Sequence, residues 1–397
     1  MNAPDILSLD DKVDVRRRLQ DLAAWQEEWR ALEAYLDQKI AEIGDSIKEI
    51  DIQKSAEIAA LRNRLQLQQV RIPLEISPET INVLGYTKLR RHMVTQFVSL
   101  SQAERLLWLN NFLFILTPDL RKLNDKITRT RGYRSFGQKR NFLLGAVSGM
   151  GKTTYLYWFV SHYLPQVESE RNRVPIIMID APEGNSPKPL FQRIIRACGA
   201  NYLERDTEEM LLMKIALYLQ KCGVEVIVID EVEHIKNHSV RRRLLELSNM
   251  THHVPIICSS CKPEEWIKGD PEIEGRWNDY FRIERYTGTR LQQLLVYINL
   301  LLPLPQNSFL SSRLKKQASA EGARKDEAIA FIQRVTRGKL GNIMLLIKEA
   351  TRAAVEENLS CLDEPLLRKT WDDIQTKPAT IEKLNDEGTE SPKKEEE

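Results

Sequence analysis

Residues 142–156 read FLLGAVSGMGKTTYL, an apolar run that gives way to glycines, a lysine and two threonines and then to a helix-like segment. A glycine-rich turn between a strand and a helix is a setting in which backbone N–H groups can surround phosphate oxygens at the positive end of the helix dipole. Gly149 and Gly151 allow that approach, Lys152 reaches the β- and γ-phosphates, and Thr153 holds magnesium. The nucleotide-binding stretch is thus Ser148, Gly149, Met150, Gly151, Lys152, Thr153 and Thr154. One position departs from the strict pattern: Ala146 stands where a glycine is usual, with Gly145 one step early. The departure falls at the strand exit, where a methyl is tolerated if the backbone angles are ordinary.

Outward from this loop, short β-branched runs alternate with helical segments: VPIIMIDAP at 174–182, VEVIVID at 224–230, VPIICSS at 254–260 and YFRIERY at 280–286. Near-continuous Val and Ile runs mark strands buried on both faces, and helices between them imply crossovers in a parallel sheet. The run VEVIVIDEVEHI ends its strand in Asp230 and Glu231. Asp230 can hold magnesium through water, and Glu231 can polarise the attacking water. Together with Lys152 in one sheet, this acidic pair reads as an ATPase with ATP and Mg2+ as cofactors. Ser259 and Ser260 end a third strand, and Ser260 is placed to lie between the acidic pair and the γ-phosphate.

The chain has 397 residues, with 58 Lys and Arg against 56 Asp and Glu, so the net charge is +2. That balance argues against a polyanion-coating protein, and any nucleic-acid contact must come from local clusters. No run approaches the ~18 apolar residues of a membrane span. The opening MNAPDILSLDDKVDV has neither the basic nor the apolar part of a signal peptide, and five scattered cysteines suit a reducing compartment. The expectation is a cytoplasmic protein without a membrane partner. Cys258 and Cys261 form a C-x-x-C near His252 and His253, but Cys258 ends an apolar strand, which favours a structural role over zinc or redox chemistry.

The organisation expected is a helical, coiled-coil-like extension over 1–70, a linker and helical segment over 71–140, a core over 141–287, a helical lid over 288–376 and a disordered tail over 377–397. The extension carries apolar residues at steps of three and four from Leu22 and Trp25 through Leu36, Ile40 and Ile50 to Leu65. It reads equally as a hairpin packed on its own protein or as an arm for a partner. RIPLEISPETINVLGYTK reads as a linker, and the basic run that ends in QKRN as a solvated face that leads into the phosphate loop.

In this order, the phosphate loop, the strand ending Asp-Glu, the polar strand end and the helical lid resemble an AAA+ ATPase. The segments VPIIMIDAPEGNSPKPLFQRIIRACG, CGVEVIVIDEVEHI, DPEIEGRWNDYFRIERY, LLPLP and GKLGNIMLLIKEA are closer still to the TniB/TnsC family of transposition regulators, over roughly residues 130 to 370. The fold implied is an AAA+ P-loop NTPase core with a parallel five-stranded sheet, a C-terminal helical lid and an N-terminal helical extension. The resemblance implies rings or helical filaments on duplex DNA, a signal from a TniQ- or TnsD-like target selector, and recruitment of a TnsB/TnsA-like transposase. Arg276 in GRWNDYF matches the arginine that acts in trans on the γ-phosphate of the neighbouring subunit, with Arg282 a weaker alternate. The lid motif of the family carries an arginine that senses the γ-phosphate, and here Asn342 stands in its place. Asn can donate a hydrogen bond but brings no charge, so turnover is expected to be slow. The DNA contacts implied are Lys188, Arg193, Thr207 and Lys214, with the cluster Arg241 to Arg243 open between DNA contact and a solvated face. A signalling scaffold and a protein remodeller, both without DNA, remain as alternatives.

Overall fold

The computed structural model describes part of residues 15–34, and residues 86–112, 115–132, 141–163, 165–167, 172–251, 254–309 and 320–376. Most of the amino-terminal stripe, the linker before residue 86, the run 133–140, the His252–His253 pair and the tail after 376 lie outside the described residues. The chain divides into two units, one holding residues 116–284 and the other residues 73–115 together with 285–397 and the first 20 residues. The segment 71–140, expected as one linker-and-helix piece, is therefore shared between the two.

The discontinuous unit opens with α1 (Tyr86–Val98) and α2 (Gln102–Phe112). Leu89, Met93 and Phe97 recur at every fourth position of α1 and are buried, which makes a helix of a stretch whose beginning reads as linker. Ser101 and Glu104 form a capping box: the Glu104 carboxylate accepts from the Ser101 backbone N–H at 2.7 Å, and the Ser101 hydroxyl accepts from the Glu104 N–H at 3.3 Å.

The core unit contains α3 (Pro118–Gly132), β1 (Phe142–Gly145), α4 (Lys152–Ser161), β2 (Ile176–Asp180), α5 (Lys188–Ala197), α6 (Glu208–Lys221) and β3 (Val226–Asp230). It continues with α7 (His238–Met250), β4 (Ile256–Ser260), α8 (Pro263–Ile267), α9 (Pro271–Arg276) and β5 (Asp279–Arg282). The strands form one parallel five-stranded sheet in the order β2-β3-β4-β1-β5. Every residue of β1, β3 and β4 is buried, the pattern of strands covered by helices on both faces. Because β4 lies between β1 and β3, its carboxyl end sits between the phosphate loop and the acidic pair. This fixes the place of the site, since ligands of open α/β sheets bind at the carboxyl ends of the strands.

The second unit resumes with α10 (Gly288–Leu301), α11 (Ala320–Thr336), α12 (Leu340–Glu356) and α13 (Glu364–Thr376). α2 packs on α12 and α1 on α10. The segment LLPLP that follows α10 is held by α1: the Arg90 guanidinium donates to the carbonyls of Leu300, Leu302, Leu304 and Gln306 and to Asn307 Oδ1, at 2.6–3.4 Å. Burial pulls the Arg90 pKa down to about 10, against the pull of Tyr86. Trp108 Nε1 adds a bond to the Leu301 carbonyl at 3.0 Å. No helix of the described residues is long and apolar enough to cross a membrane.

Candidate nucleotide site

The loop after β1 has the backbone that its glycines suggest. Gly149 and Gly151 sit at φ of 78° and 83°, in the left-handed region that glycine enters without strain. Ala146 has no such angle, so its methyl is accommodated. The glycine that the fold demands is the early one: a Cβ at Gly145 would lie 2.5 Å from Tyr280 Oη and 2.7 Å from Pro263 Cγ. Lys152 opens α4 with its side chain buried, and its Nζ donates to the Ala146 carbonyl at 2.7 Å. Burial lowers its pKa, while the carboxylates of Glu233, Asp230 and Glu231 act in the other direction.

The acidic strand faces this loop. Asp230 is fully buried; its Oδ2 accepts from Thr153 Oγ1 at 2.6 Å and its Oδ1 from the Glu231 backbone N–H at 2.9 Å. Glu231 is exposed and held at φ 55°, a left-handed angle uncommon for a residue with a side chain. Its carboxylate points toward His234, 3.7 Å from Nε2. Two positions further on, Glu233 turns inward and accepts from the Cys261 backbone N–H at 3.2 Å, with its Oε2 buried and without a partner. Glu233 escapes a reading that stops at the Asp-Glu pair; its proximity to the β4 end appears only once the turn Val232–His234 is folded. Ser260 is buried beside Gly145 in the β1–β4 register, and its Oγ accepts from the Lys262 N–H at 3.0 Å.

These groups fit a magnesium nucleotide. Lys152 has three N–H donors and a single acceptor among the described residues, and a buried carboxylate lies beside a threonine hydroxyl at the helix start. Thr153 and Asp230 would hold the ion, and bound Mg2+ would neutralise charge on the β- and γ-phosphates. Glu231 is exposed, with His234 beside its carboxylate, and Ser260 lies at the end of the strand between the two loops. Cys258 is buried inside β4 with its thiol pushed up by burial, and no cluster among the described residues could hold a metal through His, Cys, Asp and Glu.

Arg276 ends α9, exposed, with no hydrogen bond or ion pair among the described residues. Arg282 is engaged by Glu264 at 3.1 Å. Asn342 lies half-buried in the first turn of α12, in the helical unit. Each residue expected to touch DNA has a partner inside the core unit. Lys188 Nζ donates to the Glu204 carbonyl at 2.5 Å and Arg193 to that of Asp180 at 2.7 Å. Thr207 caps α6, and Lys214 pairs with the buried Asp206 at 2.6 Å. The arginine cluster is likewise taken up: Arg241 by the Trp266 carbonyl, Arg242 by Asp270, and Arg243 by Glu208, Glu209 and Glu246.

Residues 105–286 match the family of bacterial TniB proteins. The match begins before the resembling segments and stops ahead of the lid. No curated protein matches the chain significantly. Among solved structures, the Orc1 protein of Aeropyrum pernix in complex with DNA is similar over 65% of this chain and 64% of its own, at 14% identity and a TM-score of 0.45. Cdc6p from Pyrobaculum aerophilum is similar over 64% and 67%, at 13% identity and 0.47. Domain III of the replication initiation protein DnaA from Thermotoga maritima is similar over 66% and 94%, at 14% and 0.40. The chain thus spans a little under two thirds of the Aeropyrum protein. The strand order, the phosphate loop and the matched family agree without help from these distant likenesses. Over residues 105–286, a little under half of its length, the chain is thus similar to the bacterial TniB family, and those residues carry a parallel five-stranded sheet with a phosphate loop and an acidic strand end, the build of a P-loop ATPase.

Proposed function

We propose that the chain is an ATP- and Mg2+-dependent regulator of DNA transposition that assembles with copies of itself on duplex DNA and links target choice to transposase recruitment. Lys152 and the loop N–H groups bind the phosphates, Thr153 and Asp230 hold the metal, Glu231 polarises water, and Ser260 positions it. Arg276 completes the site of the neighbouring subunit by stabilising charge that develops on the phosphoryl oxygens. The observation that carries the assembly is Arg276 itself, an exposed guanidinium at the end of a short helix, without a partner among the described residues. A TniQ- or TnsD-like selector and a TnsB/TnsA-like transposase are the partners that likeness to the TniB family suggests. Asn342 in place of a charged sensor makes turnover slow and the ATP-bound assembly long-lived.

One observation favours a second reading, a scaffold or remodeller acting on protein. α6 exposes Met210, Met213 and Leu217 at steps of three and four, while the residues offered for DNA are bound internally. Electron microscopy with and without nucleotide and duplex DNA of unrelated sequences separates the two. The first reading expects filaments or rings on DNA with ATP or a non-hydrolysable analogue. Oligomers that form with ATP and never engage DNA would establish the second.

A further inference from the structure

Arg276 can act on a neighbour only if α9 is held still, yet α9 spans six residues and cannot be stable by itself. Its support comes from one buried carboxylate. Asp270, 1% exposed, precedes the helix and caps it: Oδ1 accepts from the N–H groups of Glu272 at 3.0 Å and Ile273 at 3.4 Å, and its carbonyl accepts from Glu274 N–H at 2.9 Å. The other oxygen leaves the helix. Asp270 Oδ2 pairs with His238 Nε2 at 2.7 Å and with Arg242 Nε at 3.3 Å, both on α7. From the same helix, Arg241 Nη1 donates to the Trp266 carbonyl at 2.7 Å, and Trp266 meets Trp277 edge to face with ring centres 5.5 Å apart. Trp277 directly follows Arg276 and is buried, as is Ile273 in the middle of α9. The short helix is therefore fixed at both ends to α7, which follows the acidic turn and packs in the core of the sheet.

We propose that Asp270, with His238 and Arg242, is the positioning group for Arg276: it fixes the arginine that a subunit presents to its neighbour without taking part in that subunit's own site. This rests on the reading of Arg276 as a residue acting in trans. A buried carboxylate held by a histidine and an arginine keeps a geometry that a surface pair does not, and a misplacement of about 1 Å at a reacting group is worth up to ~100-fold in rate. Asp270→Asn separates the two halves of the device, because asparagine caps a helix about as well as aspartate but brings no charge to His238 and Arg242.

The test uses full-length protein in mixed assemblies with ATP and DNA. Arg276→Ala subunits keep an intact phosphate site and lack the arginine; Lys152→Ala subunits lack the site and keep the arginine. Each alone is inactive, and the mixture restores hydrolysis at interfaces between the two kinds. Adding Asp270→Asn to the Lys152→Ala subunit is expected to lower the restored rate about tenfold, with the affinity for ATP unchanged. Adding it to the Arg276→Ala subunit is expected to leave the rate within about twofold. Equal loss from both placements, or no loss from the first, overturns the proposal while the trans arginine stands. A mixture of the two single variants that restores nothing, or an Arg276→Ala protein that hydrolyses at the parent rate, overturns the trans reading and the positioning role with it. If Asp270→Asn fails to fold, His238→Gln with Arg242→Gln repeats the comparison from the solvent side, where both side chains are about half exposed.

Discussion

Two buried cations, one in each unit, are treated in opposite ways. Arg90 in the helical unit is 4% exposed and has all five of its N–H donors met by acceptors, four of them backbone carbonyls. Lys152 in the core unit is 9% exposed and donates to one carbonyl, with a buried carboxylate nearby that accepts two bonds, one at each oxygen. The first charge is saturated and the second is held in reserve. A saturated buried charge serves the fold, because any change leaves several acceptors stranded. An unsaturated one is a cost the fold bears for a ligand that supplies the missing partners.

This contrast can be broken by exchanging the consequences. The largest effect is expected for Arg90→Met, which strands five acceptors and should cost on the order of 3–5 kcal/mol in denaturant unfolding. A loss below about 1 kcal/mol would show that the carbonyls find other donors and that the cage is incidental. Lys152→Ala should do the reverse: hydrolysis falls by about 100-fold or more, while unfolding stays within about 1 kcal/mol of the parent. Comparable destabilisation by the two variants would end the distinction. Next comes Gly145→Ala, whose new methyl overlaps Tyr280 and Pro263; it should destabilise by about 1–3 kcal/mol, against less than about 1 kcal/mol for Ala146→Gly, measured by thermal unfolding. The reverse order would restore importance to the position the motif names. The smallest effect is expected for Asn342→Arg, a severalfold rise in steady-state ATP turnover with unchanged melting. Turnover no faster than the parent removes Asn342 as the reason for a slow cycle.

What could be read in the sequence was read from local pattern. Val226 to Asp230 is a buried strand with a carboxylate at its end, and Phe142 to Lys152 is a strand, turn and helix start; both are legible because the chemistry and the element that presents it are contiguous. The parallel sheet followed from the same runs, and its five strands from the family resemblance. What could not be read depends on partners distant in the chain. Lys188, Arg193 and Lys214 look like free surface cations until the fold brings them to Glu204, Asp180 and Asp206. The three consecutive arginines look alike in sequence and have three different anchors. Asp270 sits before Pro271 and reads as an ordinary helix cap, since nothing local shows that its second oxygen meets α7. The pairing of α1 with LLPLP spans more than 200 residues and leaves no periodicity at all.

That last separation sets an order of events during synthesis. Arg90 leaves the ribosome with none of its acceptors made, and the carbonyl of Gln306 follows 216 residues later. At about 5–20 residues per second, α1 waits some 10–40 s for its cage while the whole core unit is synthesised. The nucleotide site can therefore form in a nascent chain whose helical unit is still open. Over that interval the apolar face of Leu89, Met93 and Phe97 lacks its native cover, which makes this helix the first place to look for chaperone capture or premature association.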